Sequence, residues 1–326
     1  MTLMLDEILQ EPDSLMTTYE KTISSLKSLA SQILKSDFVV IAGSGTSYHA
    51  SIFMNYLLLQ SGVKSVAIQS SEFSEILNGK LRGEVTSVIF SQSGESTDAL
   101  SCLHYSKELN FFTAGITNSK DSTLASESDL PIVTEAGDEK SIAATKSHSV
   151  QLLTSAILSS VIKDENPTRE VELLVKNIRD IIGRRVSLER KAKELKKKIV
   201  FLASGYLFPV ALEGELKFKE TSGILAESYA IREYLHGPIH NLDKDTSVIL
   251  LNPHPEKYTD VLDRLKYLSG NLLYLGPGGD FEMNFDLPSE LVPIAYLTSV
   301  QLLANYFTER LGLNPDKPSN LTKVVR

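Results

Sequence analysis

The stretch Phe38-Val39-Val40-Ile41-Ala42-Gly43-Ser44-Gly45-Thr46-Ser47 decides the fold. Its first five residues are apolar without a break, the pattern of a strand buried on both faces in a parallel sheet. The run ends abruptly in small residues, and a helical stretch follows over residues 48–60. Working outward, Val66-Ala67-Ile68 is the next strand. Another spans residues 85–90 and ends in Ser91-Gln92-Ser93-Gly94-Glu95-Ser96. A helix over 97–109 leads to the strand Thr113-Ala114-Gly115-Ile116-Thr117. Upstream, residues 14–35 place Leu15, Tyr19, Ile23, Leu26 and Ile33 on roughly one helical face. Strands alternating with helices predict βαβ units around a parallel sheet.

The pattern then repeats. Ile199-Val200-Phe201-Leu202-Ala203-Ser204-Gly205 echoes the first strand and its turn, and Ser247-Val248-Ile249-Leu250 echoes Ser87-Val88-Ile89-Phe90. Both echoes lie about 160 residues downstream, which points to two copies of one α/β unit. The seam falls in the polar stretch Lys163-Asp164-Glu165-Asn166-Pro167. A helix over 168–198 is expected to open the second copy. Its basic run, residues 184–198, is interrupted by Glu189 and Glu194 and reads as a solvated face rather than a nucleic-acid patch. The residues after Leu311 are turn-rich and are expected to be extended.

The 326 residues suffice for two domains of ordinary size, and 42% apolar with 23% charged residues is a globular balance. With 33 Lys+Arg against 41 Asp+Glu the net charge is −8, which argues against a nucleic-acid partner. The single cysteine, Cys102, excludes an intrachain disulfide and sits in a helical pattern as a buried, inert thiol. The N-terminus lacks the basic start and apolar core of a secretory signal, and no apolar run approaches the ~20 residues of a membrane helix. A cytoplasmic location without membrane attachment is expected.

Three segments carry candidate chemistry. Gly43-Ser44-Gly45-Thr46-Ser47 and Ser91-Gln92-Ser93-Gly94-Glu95-Ser96 each join a strand to a helix. Small residues let a ligand approach the backbone, and a helix N-terminus favours an anion. Neither is a dinucleotide fingerprint, since position 48 is Tyr, and neither is a P-loop. Either loop alone reads as turn and N-cap residues. Two of them in one half favour a phosphate monoester. On a helix, Glu213, Lys217 and Glu220 fall at i, i+4 and i+7. That spacing fits an exposed face with ordinary ion pairs better than a carboxylate held beside a lysine in a cleft. His236-Gly237-Pro238-Ile239-His240 has the spacing of a helical metal pair, but Gly and Pro interrupt it and no third ligand lies nearby. No metal or other cofactor is expected. His236 is either a pocket histidine or a solvent-exposed one.

Taken together these pieces resemble sugar isomerase (SIS) domains, and more closely the isomerase half of glutamine–fructose-6-phosphate aminotransferase. The resemblance runs from Met4-Leu5-Asp6-Glu7 through Gly45-Thr46-Ser47-Tyr48-His49-Ala50, Ser71-Glu72-Phe73, Ser91-Gln92-Ser93-Gly94-Glu95 and Ala144-Thr145-Lys146. It continues through Ala211-Leu212-Glu213-Gly214-Glu215-Leu216-Lys217 and His236-Gly237-Pro238 to Asn320-Leu321-Thr322-Lys323-Val324-Val325. It implies two tandem SIS-type α/β domains, each a mostly parallel sheet flanked by helices in three layers. The first, 1–166, binds sugar phosphate. The second, 167–311, carries the catalytic Glu and His, and the tail 312–326 closes the active site. By the same resemblance Thr46, Ser47, Ser91, Gln92, Ser93 and Ser96 hold phosphate, and Glu213 and Lys217 line the site. Glu220 is the base moving a proton between C1 and C2, His236 assists ring opening, and Lys323 forms an imine with the open-chain ketose. A homodimer is implied, with His236 reaching the neighbouring subunit's site. The sequence departs from the family pattern at Arg232 (usually Gly), Leu235 (commonly Lys) and Ala144 (Ser).

The full synthase begins with a glutaminase domain, whereas here the similar sequence starts almost at Met1. The expected activity is therefore deamination of glucosamine 6-phosphate to fructose 6-phosphate and ammonia, as in archaeal-type glucosamine-6-phosphate deaminases, which this chain resembles. The alternatives are an ammonia-dependent synthase, a fructosamine-6-phosphate deglycase and, from another class, a non-catalytic sugar-phosphate sensor.

Overall fold

A computed structural model describes residues 1–78 and 81–323. Two five-stranded sheets form, and every strand pair in both is parallel. The first contains β1 (Phe38–Gly43), β2 (Ser65–Gln69), β3 (Val85–Phe90), β4 (Phe112–Thr117) and β5 (Leu130–Val133), in the order β2-β1-β3-β4-β5. The second contains β6 (Lys198–Ala203), β7 (Ala226–Ala230), β8 (Thr246–Leu251), β9 (Asn271–Gly276) and β10 (Phe281–Glu282), in the order β10-β9-β8-β6-β7. Read from its first strand, each sheet grows one step to one side and then to the other, so the two share one topology. Val39 to Ala42 and all of β3 and β8 are buried, as their unbroken apolar runs require.

The chain divides into two compact units of discontinuous segments. The first-sheet unit comprises Gln10–Glu139 and Ala144–Val175, joined by Thr322 and Lys323; the second-sheet unit comprises Met1–Leu9, Lys140–Ala143 and Lys176–Leu321. The linear boundaries expected at 166 and 311 thus differ from the observed units at both ends. The N-terminal helix Leu3–Leu9 belongs with the second sheet because Asp316 accepts hydrogen bonds from Leu3 N and Met4 N, at 2.7 and 2.8 Å. Those are two of the amides that a helix start leaves unpaired. Residues 312–323 contain no helix or strand, and turns at 315–316 and 319–320 interrupt the expected extended path.

Each unit is organised by one nearly all-buried helix: Lys146–Ile162 in the first and Val292–Arg310 in the second. A helix buried all round must satisfy its own hydroxyls. Thr154 and Ser155 accordingly donate back to the Gln151 carbonyl at 2.8 and 3.0 Å. The helix expected over 168–198 is broken in two, Thr168–Gly183 and Arg185–Glu194. Arg184 leaves the helical path, donating from Nη1 to the Glu282 carbonyl at 3.0 Å, and the chain must release Lys198 to start β6. The basic run does carry a solvated face, with Lys193 on Glu189 at 2.8 Å. Cys102 is buried and donates to the Ser70 carbonyl, and burial pushes its thiol up to about 12. No described helix is long and apolar enough to cross a membrane.

Candidate functional site

In the first-sheet unit both hydroxyl-rich loops leave the carboxyl ends of β1 and β3, the two strands where the strand order reverses. Open α/β sheets bind ligands beyond such a point. The 43–47 loop enters helix Thr46–Gln60 without a side-chain cap, and the 91–96 loop enters helix Thr97–Glu108 the same way. Gly94 is at φ +66°, and a Cβ there meets Ser122 Oγ at 2.2 Å, so only glycine gives the second loop its path. Glu95 anchors that loop, accepting from Thr123 N at 2.7 Å and Thr123 Oγ1 at 3.1 Å.

The serines are arranged as donors. Ser47 Oγ accepts from Gln151 Nε2 at 3.1 Å, Ser91 Oγ from Gly94 N at 3.1 Å, and Ser93 Oγ from Glu95 N at 3.2 Å. Ser91 and Ser96 share a contact at 3.3 Å. A hydroxyl oxygen already engaged as acceptor has its proton left to give, which suits a ligand that only accepts, such as a phosphate monoester. Thr46 and Gln92 lie half-buried in the same loops, and Gln92 offers its carbonyl to Asn118 N at 3.0 Å.

Lys323 belongs to this unit. Its ammonium donates to the Glu139 carbonyl and stands 3.8 Å from Glu139 Oε2. Glu139 is a residue that sequence reasoning missed. Its buried carboxylate accepts from Thr145 N at 3.0 Å, Ser147 N at 3.1 Å and Ser147 Oγ at 2.6 Å. It therefore fixes both the start of helix Lys146–Ile162 and the tail lysine. The only signal was one of two adjacent acids in the polar run Gly137-Asp138-Glu139-Lys140, which reads as surface.

In the second-sheet unit the charged face of helix Phe208–Ser222 is not in solvent, against the reading from spacing. Glu213 and Lys217 side chains are both 0% exposed and Glu220 is 21% exposed. Lys217 Nζ lies 3.0 Å from Glu213 Oε1 and 2.5 Å from Glu220 Oε2. The reason is tertiary. Phe218 meets Phe201 of β6 edge-on and Phe307 of helix Val292–Arg310 at a tilt, with ring centroids 5.3 and 5.1 Å apart. Each such pair adds about 0.5–1.5 kcal/mol beyond area burial. Gly214 lets the helix close on the sheet, since a Cβ there meets Phe201 Cε1 at 2.6 Å. Burial alone pulls the Lys217 amine down, but Glu213 and then Glu220 outweigh it, so its pKa ends above the usual lysine value. Lys217 is therefore a fixed cation holding the Glu220 carboxylate.

Glu220 opens onto a cavity of about 440 Å³, walled on one side by Thr221 and Gly223 and on the other by tail residues from Leu313 to Leu321. His236, at the end of the 3₁₀ turn Glu233–His236, is exposed and does not line this cavity. Of the expected second-half residues, the chain thus brings Glu213, Lys217 and Glu220 together and leaves His236 apart. The two departures near it have local reasons. Arg232 stacks over Tyr258, 5.6 Å from the ring centroid, and Leu235 packs against the core around Tyr234 and Ile239. Among the described residues no three His, Cys, Asp or Glu cluster in a way that would hold a metal ion.

Comparison with known proteins gives a consistent result. Glutamine–fructose-6-phosphate aminotransferases (isomerizing) of Sulfurisphaera tokodaii and Aquifex aeolicus are 31% and 32% identical over 99% of the chain. The chain spans only 56% and 57% of their lengths. The crystal structure of glucosamine-6-phosphate deaminase from Thermotoga maritima superposes with a TM-score of 0.87 at 28% identity, covering 99% of both chains. Tagatose-6-phosphate ketose/aldose isomerase from Escherichia coli, at 18% identity and TM-score 0.84, shares the fold. The SIS domain family is matched over residues 32–159 and 194–271, one stretch on each parallel sheet, and this chain belongs to that family.

Proposed function

We propose that the chain is an amino-sugar-phosphate isomerase that deaminates glucosamine 6-phosphate: glucosamine 6-phosphate + water → fructose 6-phosphate + ammonia. The observation that carries this reading is Glu220, a carboxylate opening on a cavity and held by a lysine with no solvent exposure. A positioned carboxylate is what a proton transfer between adjacent sugar carbons needs. Glu220 takes the proton from C2 of the open-chain aldose and returns one to C1, leaving a C2 imine. The carbon of that imine passes to a lysine amine of the protein, which releases ammonia, and water then cleaves the new Schiff base to free fructose 6-phosphate. The donor hydroxyls of Ser47, Ser91, Ser93 and Ser96, with Thr46 and Gln92, receive the phosphate. Lys323 accepts the ketose carbon as a Schiff base, releasing ammonia by exchange; borohydride trapping with fructose 6-phosphate labels Lys323 if so, and a label elsewhere excludes it.

His236 assists ring opening from the neighbouring subunit of a homodimer, a reading motivated by its exposure away from the Glu220 cavity. Mixing Glu220→Gln and His236→Ala chains then restores about a quarter of wild-type turnover, because half of the subunit pairs are mixed and one site in each is intact. No restoration excludes a shared site.

The deaminating direction draws on the likeness to a deaminase over 99% of both chains. The likeness to the aminotransferases favours a second reading, an ammonia-dependent synthesis of glucosamine 6-phosphate by the same steps in reverse. Either enzyme would catalyse both directions, so saturation by ammonia separates them: the proposal expects turnover to saturate with glucosamine 6-phosphate but not with ammonia at physiological concentrations, and saturation by ammonia in that range overturns it.

A further inference from the structure

The loops that follow β6 and β8 enclose a second cavity, of about 590 Å³, within the second-sheet unit. It occupies the point where the strand order of its sheet reverses, as the two hydroxyl-rich loops do in the first sheet. Its lining is of another kind. Ser204-Gly205-Tyr206 and Asn252-Pro253-His254 stand where the first sheet has runs of serine and threonine. Tyr206, Tyr258, Tyr296 and Phe285 supply aromatic walls, and the exposed His254 and Lys257 stand at the rim. Glu256 lies 3.6 Å from His254 Nδ1, which leaves Lys257 as the principal cation there.

One buried polar group of the lining has no partner. Tyr296 is fully buried and its hydroxyl makes no hydrogen bond. Orphaned buried donors are rare in folded proteins, and an absent ligand is one of the few reasons for them. Burial pushes the Tyr296 phenol upward, so it remains an O–H donor.

We propose that this cavity binds a flat aromatic anion, its ring between the tyrosines and Phe285, an oxygen acceptor serving the Tyr296 hydroxyl and its negative end at Lys257. The volume suits a ligand of that size, and an apolar wall with few convergent polar groups is the usual composition of such sites. None of these residues takes part in the sugar-phosphate reaction, so the inference stands or falls separately.

The fluorescent probe 7-hydroxycoumarin-3-carboxylate, titrated with the full chain at low salt and read by anisotropy, tests it. One saturable site per chain is expected. Lys257→Glu, at an exposed position, is expected to weaken binding about fivefold or more through the reversed rim charge. Leu287→Trp, which fills the cavity from its lining, is expected to weaken it at least about tenfold. Thermal unfolding of both variants checks that they remain folded. An absent saturable signal, or an unchanged constant in either variant, overturns the proposal.

Discussion

Helix Thr46–Gln60 and helix Phe208–Ser222 each follow the first strand of their sheet, yet they carry their polar groups at opposite ends. The first presents Thr46 and Ser47 at its N-terminus, where unpaired amides and the dipole favour an anion. The second begins with Pro209 and is apolar there; its charges, Glu213, Lys217 and Glu220, come later and turn inward. The two sheets share one frame but place their polar groups differently. One unit has a donor-lined loop, and the other buries an ion cluster.

The buried cluster and the donor loops differ in how they respond to mutation, and that difference can be broken or sharpened. The largest effect is expected from Lys217→Met. It leaves the 0% exposed Glu213 beside Glu220 with no cation, at a cost of about 3–5 kcal/mol. Denaturant unfolding should show a lower midpoint with unchanged slope; stability within about 1 kcal/mol of wild type would mean the cluster is not truly desolvated. Glu220→Gln keeps the Lys217–Glu213 pair, so it should cost little stability while lowering turnover by about 10²-fold or more with substrate still bound. Equal losses of stability in the two variants would erase the distinction between a clamp and a base.

In the loops, Ser93→Ala should raise KM about tenfold with less change in kcat, the scale of one hydrogen bond to a charged acceptor. A pure kcat effect would move Ser93 from binding to chemistry. The smallest effect is expected at the surface. Lys198 and then Thr246 hold the Asp243 carboxyl down to about 2, below its ordinary value. A depressed carboxylate stabilises the fold above its unfolded pKa and loses that contribution as pH falls through the folded one. Asp243→Asn should therefore flatten the stability profile only between about pH 4 and pH 2. A changed slope of stability against pH near neutrality would contradict the assignment.

Much of the frame was legible because its central strands are unbroken apolar runs: β1, β3, β6 and β8 could be read directly. Strands β5, β7 and β10 could not, because they are edge strands carrying Pro131, Glu227 or only two residues. In β9, Asn271-Leu272-Leu273-Tyr274-Leu275 is too short a run for periodicity to separate strand from helix. The break at Arg184 follows Gly183, a mark that the reading of 168–198 as one helix passed over. In the candidate site, the donor loops were legible from strand, small residues and helix in succession. The ion cluster was visible as spacing but misread in burial, since the same spacing suits a solvated face. What buries it is the Phe201–Phe218–Phe307 cluster, a tertiary fact.

The central claim is that Glu220 moves the proton at C2 of an amino-sugar phosphate. Glucosamine 6-phosphate deuterated at C2, incubated with wild-type and Glu220→Gln chains and followed by NMR, tests it most directly. Deuterium is expected to leave C2 as fructose 6-phosphate forms with the wild type and to stay in place with the variant. Loss of the label at the same rate in both would contradict it.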